Sequence, residues 1–494
     1  MTSRNKHVVI VGGGITGLAI AHRLLEIAPA GLLTITLLEA TSRLGGTIKT
    51  QQRDGFLIET GPDSFISEKP AALQLARRIG LEANLIETNS AFRRSFIVRK
   101  GRLRPVPEGF QLLAPARIWP FVKTDIFSWP GKARMALDLL IPRRKLTNGI
   151  EDESLADFVR RRLGREALDR MAQPMVGGIY TANPETLSLR ATLPRFLELE
   201  RQHGSIIRGL IRKRAATKDP NQEAGTSGAR YSLFLSFDRG MQTLTDRLAE
   251  RIALDQPGQV APVSSRLQTR VAALTLSPET TGTRKWIIRT DANEMIEADA
   301  VCLGVTAPIA ASLIRETDSQ LADKLSSIAY ASTATINLAY HRADVPHPLD
   351  GFGFVVPFIE RRSVLACSFS SVKFAGRAPT GCALLRAFVG GALQPELFAL
   401  EEDEMVKRVR DDLRELLGIS APPIFTVTAG WRDSMPQYQV GHLNLVRQID
   451  ELVAKHPGLH LAGNGFSGAG IPDCIRSGET TAEHVVNGLT SDCV

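Results

Sequence analysis

Two glycine-rich segments, at opposite ends of the chain, hold the residue types that bind a phosphorylated ligand. Gly12-Gly13-Gly14-Ile15-Thr16-Gly17 follows an apolar run at residues 7–11 and precedes apolar positions at helical spacing to Ile27. Residues 33–38 read as a second strand that ends at Glu39, 22 residues beyond Gly17. Strand, GxGxxG, helix, strand and acid in this order match a dinucleotide site. Gly12 permits a tight turn, Gly14 lets backbone approach a pyrophosphate, and Gly17 lets the helix pack on the strand. Gly13, Ile15 and Thr16 complete the loop, whose helix start offers N–H groups and partial positive charge. Glu39 would accept hydrogen bonds from a ribose. At the other end, residues 459–464 read as a strand closing in Gly463, followed by Gly465, Gly468 and Gly470 and a helix from Ile471 to Val486. This junction is a second anion-friendly helix start.

Other chemistries lack a matching pattern. The five cysteines, Cys302, Cys367, Cys382, Cys474 and Cys493, are odd in number and too far apart for a CxxC pair. A disulfide framework or zinc knuckle is therefore not expected, and the thiols fit a reducing, cytoplasmic setting. His456 and His460 are four apart, but Pro457 and Gly458 between them oppose the helix a metal pair needs. Ser467 misses a nucleophile elbow because Ala469 stands where its second glycine belongs.

The elements that must position these segments follow from length and pattern. A chain of 494 residues is too long for one core and is expected to form two or three domains. Hydrophobic residues at 43% and charged residues at 23% exclude a disordered or collagenous chain. No apolar window reaches the roughly 18 residues of a membrane span. Residues 93–214 hold 25 Lys and Arg against 12 Asp and Glu, although the whole chain is only +8. Such a segment suits membrane phosphate or a carboxylated ligand, or is a solvated helical surface. Aromatics at 6% and the absence of a recognition motif argue against nucleic acid. An apolar stretch behind Arg4 and Lys6 is like a signal peptide, but cleavage would remove the glycine motif, so it is read as part of the fold.

With nucleotide-binding segments at both ends, the substrate domain is inserted between them. Residues 104–142 contain six prolines and are expected to form short, interrupted helices. Residues 153–171 read as an amphipathic helix with Arg160, Arg161 and Arg162 outside, and residues 215–230 as a polar loop. Residues 271–305 read as a small antiparallel set that returns the chain to the nucleotide domain. Residues 333–340 and 363–369 read as strands of a substrate-domain sheet.

Directly after Glu39, Ala40-Thr41-Ser42-Arg43-Leu44-Gly45-Gly46 supplies an Arg-x-Gly-Gly element. Its spacing resembles the second dinucleotide motif of FAD enzymes of the amine oxidase superfamily. Arg43 can reach phosphate there, and the glycine pair lets backbone lie against the cofactor. Further motifs follow in order: Gly61-Pro62-Asp63-Ser64-Phe65, Lys100-Gly101-Arg102-Leu103, Gly178-Ile179-Tyr180, Gly351-Phe352-Gly353-Phe354-Val355, and Pro436-Gln437-Tyr438. In combination, over nearly the whole chain, they resemble the oxygen-dependent porphyrinogen oxidases of haem biosynthesis.

The resemblance implies an α/β multi-domain protein: a Rossmann-like FAD-binding domain (1–66, 238–310, 430–494), an inserted mixed-sheet substrate domain (67–100, 195–237, 311–429) and a helical domain (101–194). It implies a six-electron oxidation of a porphyrinogen by FAD and O2, releasing H2O2. No nucleophile or metal is required, because the cofactor carries the chemistry. FAD contacts are expected from Gly12–Gly17, Glu39, Ala40, Arg43, Gly45, Gly46, Thr47, Gly61, Pro62, Asp63, Ser64, Val271, Trp431, Gly463, Ala469, Gly470 and Ile471. By carry-over, Phe352, Gly353 and Val355 line the substrate pocket, Gly178 offers backbone near a pyrrole, and Leu338 forms an apolar wall. Asp63 either accepts from pyrrole N–H groups or forms an Asx turn after Pro62. Some relatives hold a propionate with an arginine where this chain has Ser95; Arg94 substitutes after a small shift, or the carboxylates are held differently. Coproporphyrinogen III, with four carboxylates, is favoured over protoporphyrinogen IX, with two. A flavin amine oxidase with Trp431 and Tyr438 as an aromatic cage, a carotenoid desaturase and a non-catalytic FAD-binding scaffold are the rival readings. Relatives also suggest peripheral contact with the inner face of the membrane and contact with a ferrochelatase of the same pathway. Phe110, Trp119, Phe121, Phe127 and Trp129 either serve that membrane contact or form the helical domain's core. The oligomeric state stays open.

Overall fold

The computed structural model describes residues 5–144, 152–216, 234–254, 263–277 and 284–491. The polar loop expected at 215–230 lies outside the described residues from residue 217 onward, as does Cys493.

The β-branched run near the N-terminus forms the strand Lys6–Val11, the centre of a five-stranded parallel sheet. The strand order is Ser264–Arg266, Leu33–Leu38, Lys6–Val11, Ala300–Leu303 and Leu459–Leu461. Side chains alternate across a strand, so Val8 and Ile10 bury on one face and Val9 and Val11 on the other. The first face packs against helices Ile15–Ile27, Gln242–Ala253 and Ile471–Ser491. The second packs against Ala307–Ile314, Ser319–Ser326 and His442–Val453. Strands Val271–Leu276, Trp286–Thr290 and Met295–Ala298 form the expected antiparallel set leading back into this sheet. The chain's two ends meet because Gly478 lets the last helix lie on the first. A Cβ there would stand 2.6 Å from the Thr16 carbonyl oxygen.

A mixed sheet of seven strands lies beyond, in the order Phe425–Pro436, Tyr330–His341, Cys382–Gly390, Ala366–Phe369, Gly353–Val355, Phe96–Arg99 and Arg102–Pro105. One face carries Ile336, Leu338, Leu385, Phe354 and Phe96 and packs on helix Glu402–Leu417. By alternation, the other face carries Thr335, Asn337, Arg386, Ser368, Gly353 and Val355. Leu338 therefore differs from its expected role. It is fully buried in the core behind the sheet, because its period-two position is opposite that of Asn337.

The helical region also departs from expectation. The amphipathic helix at 153–171 is interrupted. Helix Leu155–Arg162 starts at the capping Ser154 hydroxyl and stops before Gly164, whose φ is +91°. A short turn, a π-helical segment at Leu168–Ala172 and helix Gln173–Tyr180 follow. Arg162 is not outside but fully buried, with Nε donating to Asp138 Oδ1 at 2.6 Å. Three consecutive helical positions span about 200°, so Arg160, Arg161 and Arg162 cannot share one face. Phe110, Phe121 and Phe127 belong to the core, whereas Trp119 and Trp129 are 67% and 70% exposed.

Candidate cofactor and substrate site

The first helix begins at Gly14 with no side-chain cap, so its leading N–H groups face outward from the glycine turn. Gly12 sits at φ +101°, and a Cβ on Gly17 would stand 1.9 Å from the Gly12 carbonyl oxygen. Only glycine fits these two positions. Gly14 is different: a Cβ there meets nothing nearer than the Gly46 Cα at 4.0 Å. The Arg-x-Gly-Gly loop lies alongside, with Gly45 N–H donating to the Gly13 carbonyl at 2.8 Å and Gly14 bridged to Gly45. Glu39 accepts from Gly13 N–H at 2.7 Å through Oε2 and from Thr41 N–H at 2.8 Å through Oε1. It therefore props the turn itself, next to exposed Ala40. The Arg43 guanidinium donates to the carbonyls of Leu44, Gly46 and Ile48, which the tight loop turns inward, and so shapes the loop.

From this loop a continuous path leads to the seven-stranded sheet. Gly46 and Thr47 are exposed. A Cβ on Gly61 would stand 1.7 Å from the Thr47 carbonyl oxygen, so segment 59–64 must pass directly beneath. The Thr60 carbonyl accepts from Thr335 Oγ1 and from Trp431 Nε1, each at 2.9 Å, and the Gly61 carbonyl accepts from Arg386. Val271 opens its strand beside the Glu39 loop, where Thr269 N–H donates to the Glu39 carbonyl at 2.9 Å. Gly463, at φ +124°, has Thr16 Oγ1 3.8 Å from where its Cβ would be. Ala469 and Gly470 lead into the last helix at Ile471. The Tyr438 hydroxyl holds this segment: it donates to the Asn464 carbonyl and accepts from Gly468 N–H at 3.0 Å. Its ring is buried and stacked on His442 at 4.2 Å. Trp431 and Tyr438 thus brace backbone and do not form an open aromatic cage.

Asp63 and Ser64 continue from Pro62 into a cluster of charges. Lys373 Nζ lies 2.8 Å from Asp63 Oδ2, and Ser64 Oγ donates to Oδ1 at 2.8 Å. Burial alone would raise the Asp63 pKa. The Lys373 and Arg386 charges and the two hydrogen bonds outweigh it and hold the carboxyl below its ordinary range. Glu59, by contrast, is raised by burial despite hydrogen bonds from Met241 N–H and Thr50. Sequence reasoning missed Lys373, Arg386 and Asn337. Arg386 and Asn337 are cross-strand partners on the sheet face that meets segment 59–61. A lone charge or amide within the apolar runs 382–390 and 334–340 was the available signal; Lys373 had none.

Gly178 and Val355 come together. A Cβ on Gly178 would be 3.4 Å from Val355 Cγ1. Gly353, at φ +136°, must be glycine because a Cβ would meet the Cys367 carbonyl oxygen at 2.1 Å. Phe352 is buried, and its N–H donates to the Arg94 carbonyl at 2.9 Å. The Arg94 side chain pairs with Asp350 and opens on a cleft of about 560 Å³ that Arg104 and Lys123 also line. Ser95 beside it is buried. At the start of the last helix, Asp473 is buried and pairs with Lys69 at 2.5 Å and Arg476 at 3.3 Å.

An uncapped helix start, two apposed glycine loops with open backbone and a buried carboxylate under the first turn fit a flavin dinucleotide. The sequence profile of the family described as flavin containing amine oxidoreductase matches residues 15–486. The chain belongs to that family, and its cofactor is FAD. It is 34% identical to the coproporphyrinogen III oxidase of Bacillus subtilis (strain 168), over 99% of this chain and 100% of that one. It is 31% identical to protoporphyrinogen oxidase 1, chloroplastic, of Spinacia oleracea, over 98% of this chain and 84% of the relative. A crystal structure from Exiguobacterium sp. 255-15 superposes with a TM-score of 0.84 at 31% identity, covering 98% and 99% of the two chains. Within the flavin oxidoreductases, its curated relatives are thus porphyrinogen oxidases.

Proposed function

We propose that the protein oxidises a porphyrinogen to the porphyrin, with O2 as terminal acceptor and coproporphyrinogen III as the preferred substrate. Conversion removes six hydrogens from the macrocycle, so three O2 become three H2O2. Bound FAD supplies the hydride acceptor. The protein's part is to hold both molecules and exclude water. The observation that carries this reading is the polar row on the seven-stranded sheet, Thr335, Asn337 and Arg386, braced against segment 59–61 beside the glycine loops. Gly178 is exposed beside Val355 and offers bare backbone to the macrocycle. Asp63, held as an anion, accepts from inward-pointing pyrrole N–H groups and stabilises the positive charge the ring gains as it loses hydride.

Two observations favour the tetracarboxylate substrate. Identity is higher to the coproporphyrinogen III oxidase than to the protoporphyrinogen oxidase. Lys69 and Arg476, with side chains 52% and 59% exposed, share the single carboxylate of Asp473 and leave cationic character for a substrate carboxylate. The test supplies each porphyrinogen separately to flavin-loaded enzyme in air and follows porphyrin fluorescence, corrected for autoxidation. We expect kcat/KM to favour coproporphyrinogen III by about tenfold or more, the worth of one well-placed ion pair at a partly desolvated site. A preference for protoporphyrinogen IX would reverse the substrate assignment.

The proposal includes a peripheral membrane contact through the helical region. Among the described residues no helix is long and apolar enough to cross a membrane. Ile118, Trp119, Trp129 and Leu140 are each more than 60% exposed, within one stretch of 23 residues. Lys123, which is exposed, lies over the Trp119 ring at 5.5 Å. Exposed tryptophan with lysine suits an anionic lipid surface. Co-sedimentation with anionic vesicles should fall at least about fivefold in Trp119→Ser/Trp129→Ser, as expected for losing two anchors. Wild-type protein that ignores the vesicles would remove this part. Contact with a ferrochelatase belongs to the same proposal and is read out by the same pair of variants in a pull-down.

A further inference from the structure

We infer that Lys373 is a positioning residue for Asp63: an ammonium on the substrate sheet that fixes the carboxylate in one orientation as a permanent hydrogen-bond acceptor. Asp63 is then an anchor for substrate N–H and not the base that removes its proton. The inference rests on the reading above, in which a porphyrinogen lies against Asp63.

Lys373 ends the short helix Ser370–Lys373, directly after strand Ala366–Phe369 of the seven-stranded sheet. It is 9% exposed, an uncommon position for a lysine. Its Nζ reaches Asp63 Oδ2 at 2.8 Å and Ser64 Oγ at 3.3 Å, while the rings of Phe234 and Phe374 lie 5.5 and 5.2 Å away. Asp63 comes from segment 59–64, which carries the glycine path. The ion pair therefore ties the two halves of the site together at the point where substrate and cofactor are expected to meet.

The surroundings show what the pair does. Ser64 Oγ takes one lone pair of Oδ1 and Lys373 one of Oδ2, so each oxygen keeps a second acceptor direction. Arg386, 4% exposed, faces Asp63 from the neighbouring strand but donates to the Gly61 carbonyl. Arg377 lies behind, bound to Ser236 Oγ and the Phe237 carbonyl, and Ser236 Oγ donates to the Asp63 carbonyl at 2.8 Å. Glu59 is the other buried carboxylate nearby, and it is held by Met241 N–H and Thr50. Lys373 is thus the cation in direct contact with the Asp63 carboxylate. A carboxylate so paired binds a proton poorly, so it stays ionised as an acceptor and is a poor base.

The test compares Lys373→Met, Lys373→Arg and Lys373→Met/Asp63→Asn, each loaded with flavin. In Lys373→Met the carboxylate keeps its burial but loses its contacting charge, so it should take up a proton below neutrality. Infrared difference spectra should show a protonated carboxyl appearing as pH falls, absent in wild type and in the double variant. The kcat/KM profile with coproporphyrinogen III should gain an acid limb of about tenfold or more that wild type lacks. Lys373→Arg should restore the wild-type profile. A uniform loss of rate with no new limb, or no new carboxyl band, would make Lys373 merely structural and overturn the inference. Failure of wild-type enzyme to oxidise either porphyrinogen would instead overturn the functional reading, and the infrared comparison would still report whether Lys373 controls the Asp63 proton.

Discussion

Gly14→Val should give a folded protein that does not retain FAD. The position has ordinary backbone, with φ −71°, and a Cβ there would meet only the Gly46 Cα at 4.0 Å. The protein backbone therefore accommodates a Cβ at this position. What the valine would fill is the space between two glycine loops and ahead of an uncapped helix start, where a pyrophosphate is expected. Flavin affinity should fall by at least about 100-fold, near 3 kcal/mol, while the melting temperature of the flavin-free protein stays unchanged. Gly17→Val is the contrasting case. Its Cβ would stand 1.9 Å from the Gly12 carbonyl oxygen, so the turn must move, and the flavin-free protein should itself be destabilised. Flavin absorbance per protein after desalting, with melting curves of the stripped proteins, separates the two effects. Full flavin occupancy in Gly14→Val would show that the phosphates lie elsewhere.

Arg162→Met should cost about 3 to 5 kcal/mol of stability, the range for removing one partner of a buried pair. Arg162 is fully buried, donates to Asp138 and also holds the carbonyls of Ile141 and Gly204 at 2.9 and 2.8 Å. Asp138, likewise fully buried, would keep only Ser205 Oγ at 2.6 Å and Ile207 N–H at 3.0 Å. If the cost is that of an uncompensated charge, Arg162→Met/Asp138→Asn should recover more than half of it. Denaturant titration measures both. A loss below about 1 kcal/mol, or a double variant no better than the single, would show that the pair does not hold the helical region together.

Much of the nucleotide half was legible before any coordinates. A parallel strand buried on both faces reads as a continuous apolar run, and a glycine fingerprint is local in sequence. The strands Lys6–Val11 and Leu33–Leu38 and the return through Ala300–Leu303 follow from such signals. The substrate half was less legible, because its polar residues act through contacts distant in sequence. Lys373 and Asp63 are 310 residues apart, and nothing near either one announces the other. Leu338 lies in the core and not on a pocket wall because a motif does not fix strand parity, which the pairing of Asn337 with Arg386 decides. Arg162 was misread because helical periodicity reports apolar faces, whereas a buried arginine satisfied by a distant aspartate looks polar in sequence.

The reaction proposed for this flavin oxidoreductase is conversion of a porphyrinogen to a porphyrin with O2 as acceptor. The most direct measurement couples the fluorescence assay with coproporphyrinogen III to an oxygen electrode and a peroxide determination. Catalysed porphyrin formation should scale with flavin-loaded enzyme, stop without O2, consume three O2 and yield three H2O2 per porphyrin. Flavin-loaded protein that accelerates the oxidation of neither coproporphyrinogen III nor protoporphyrinogen IX above the autoxidation rate would contradict it.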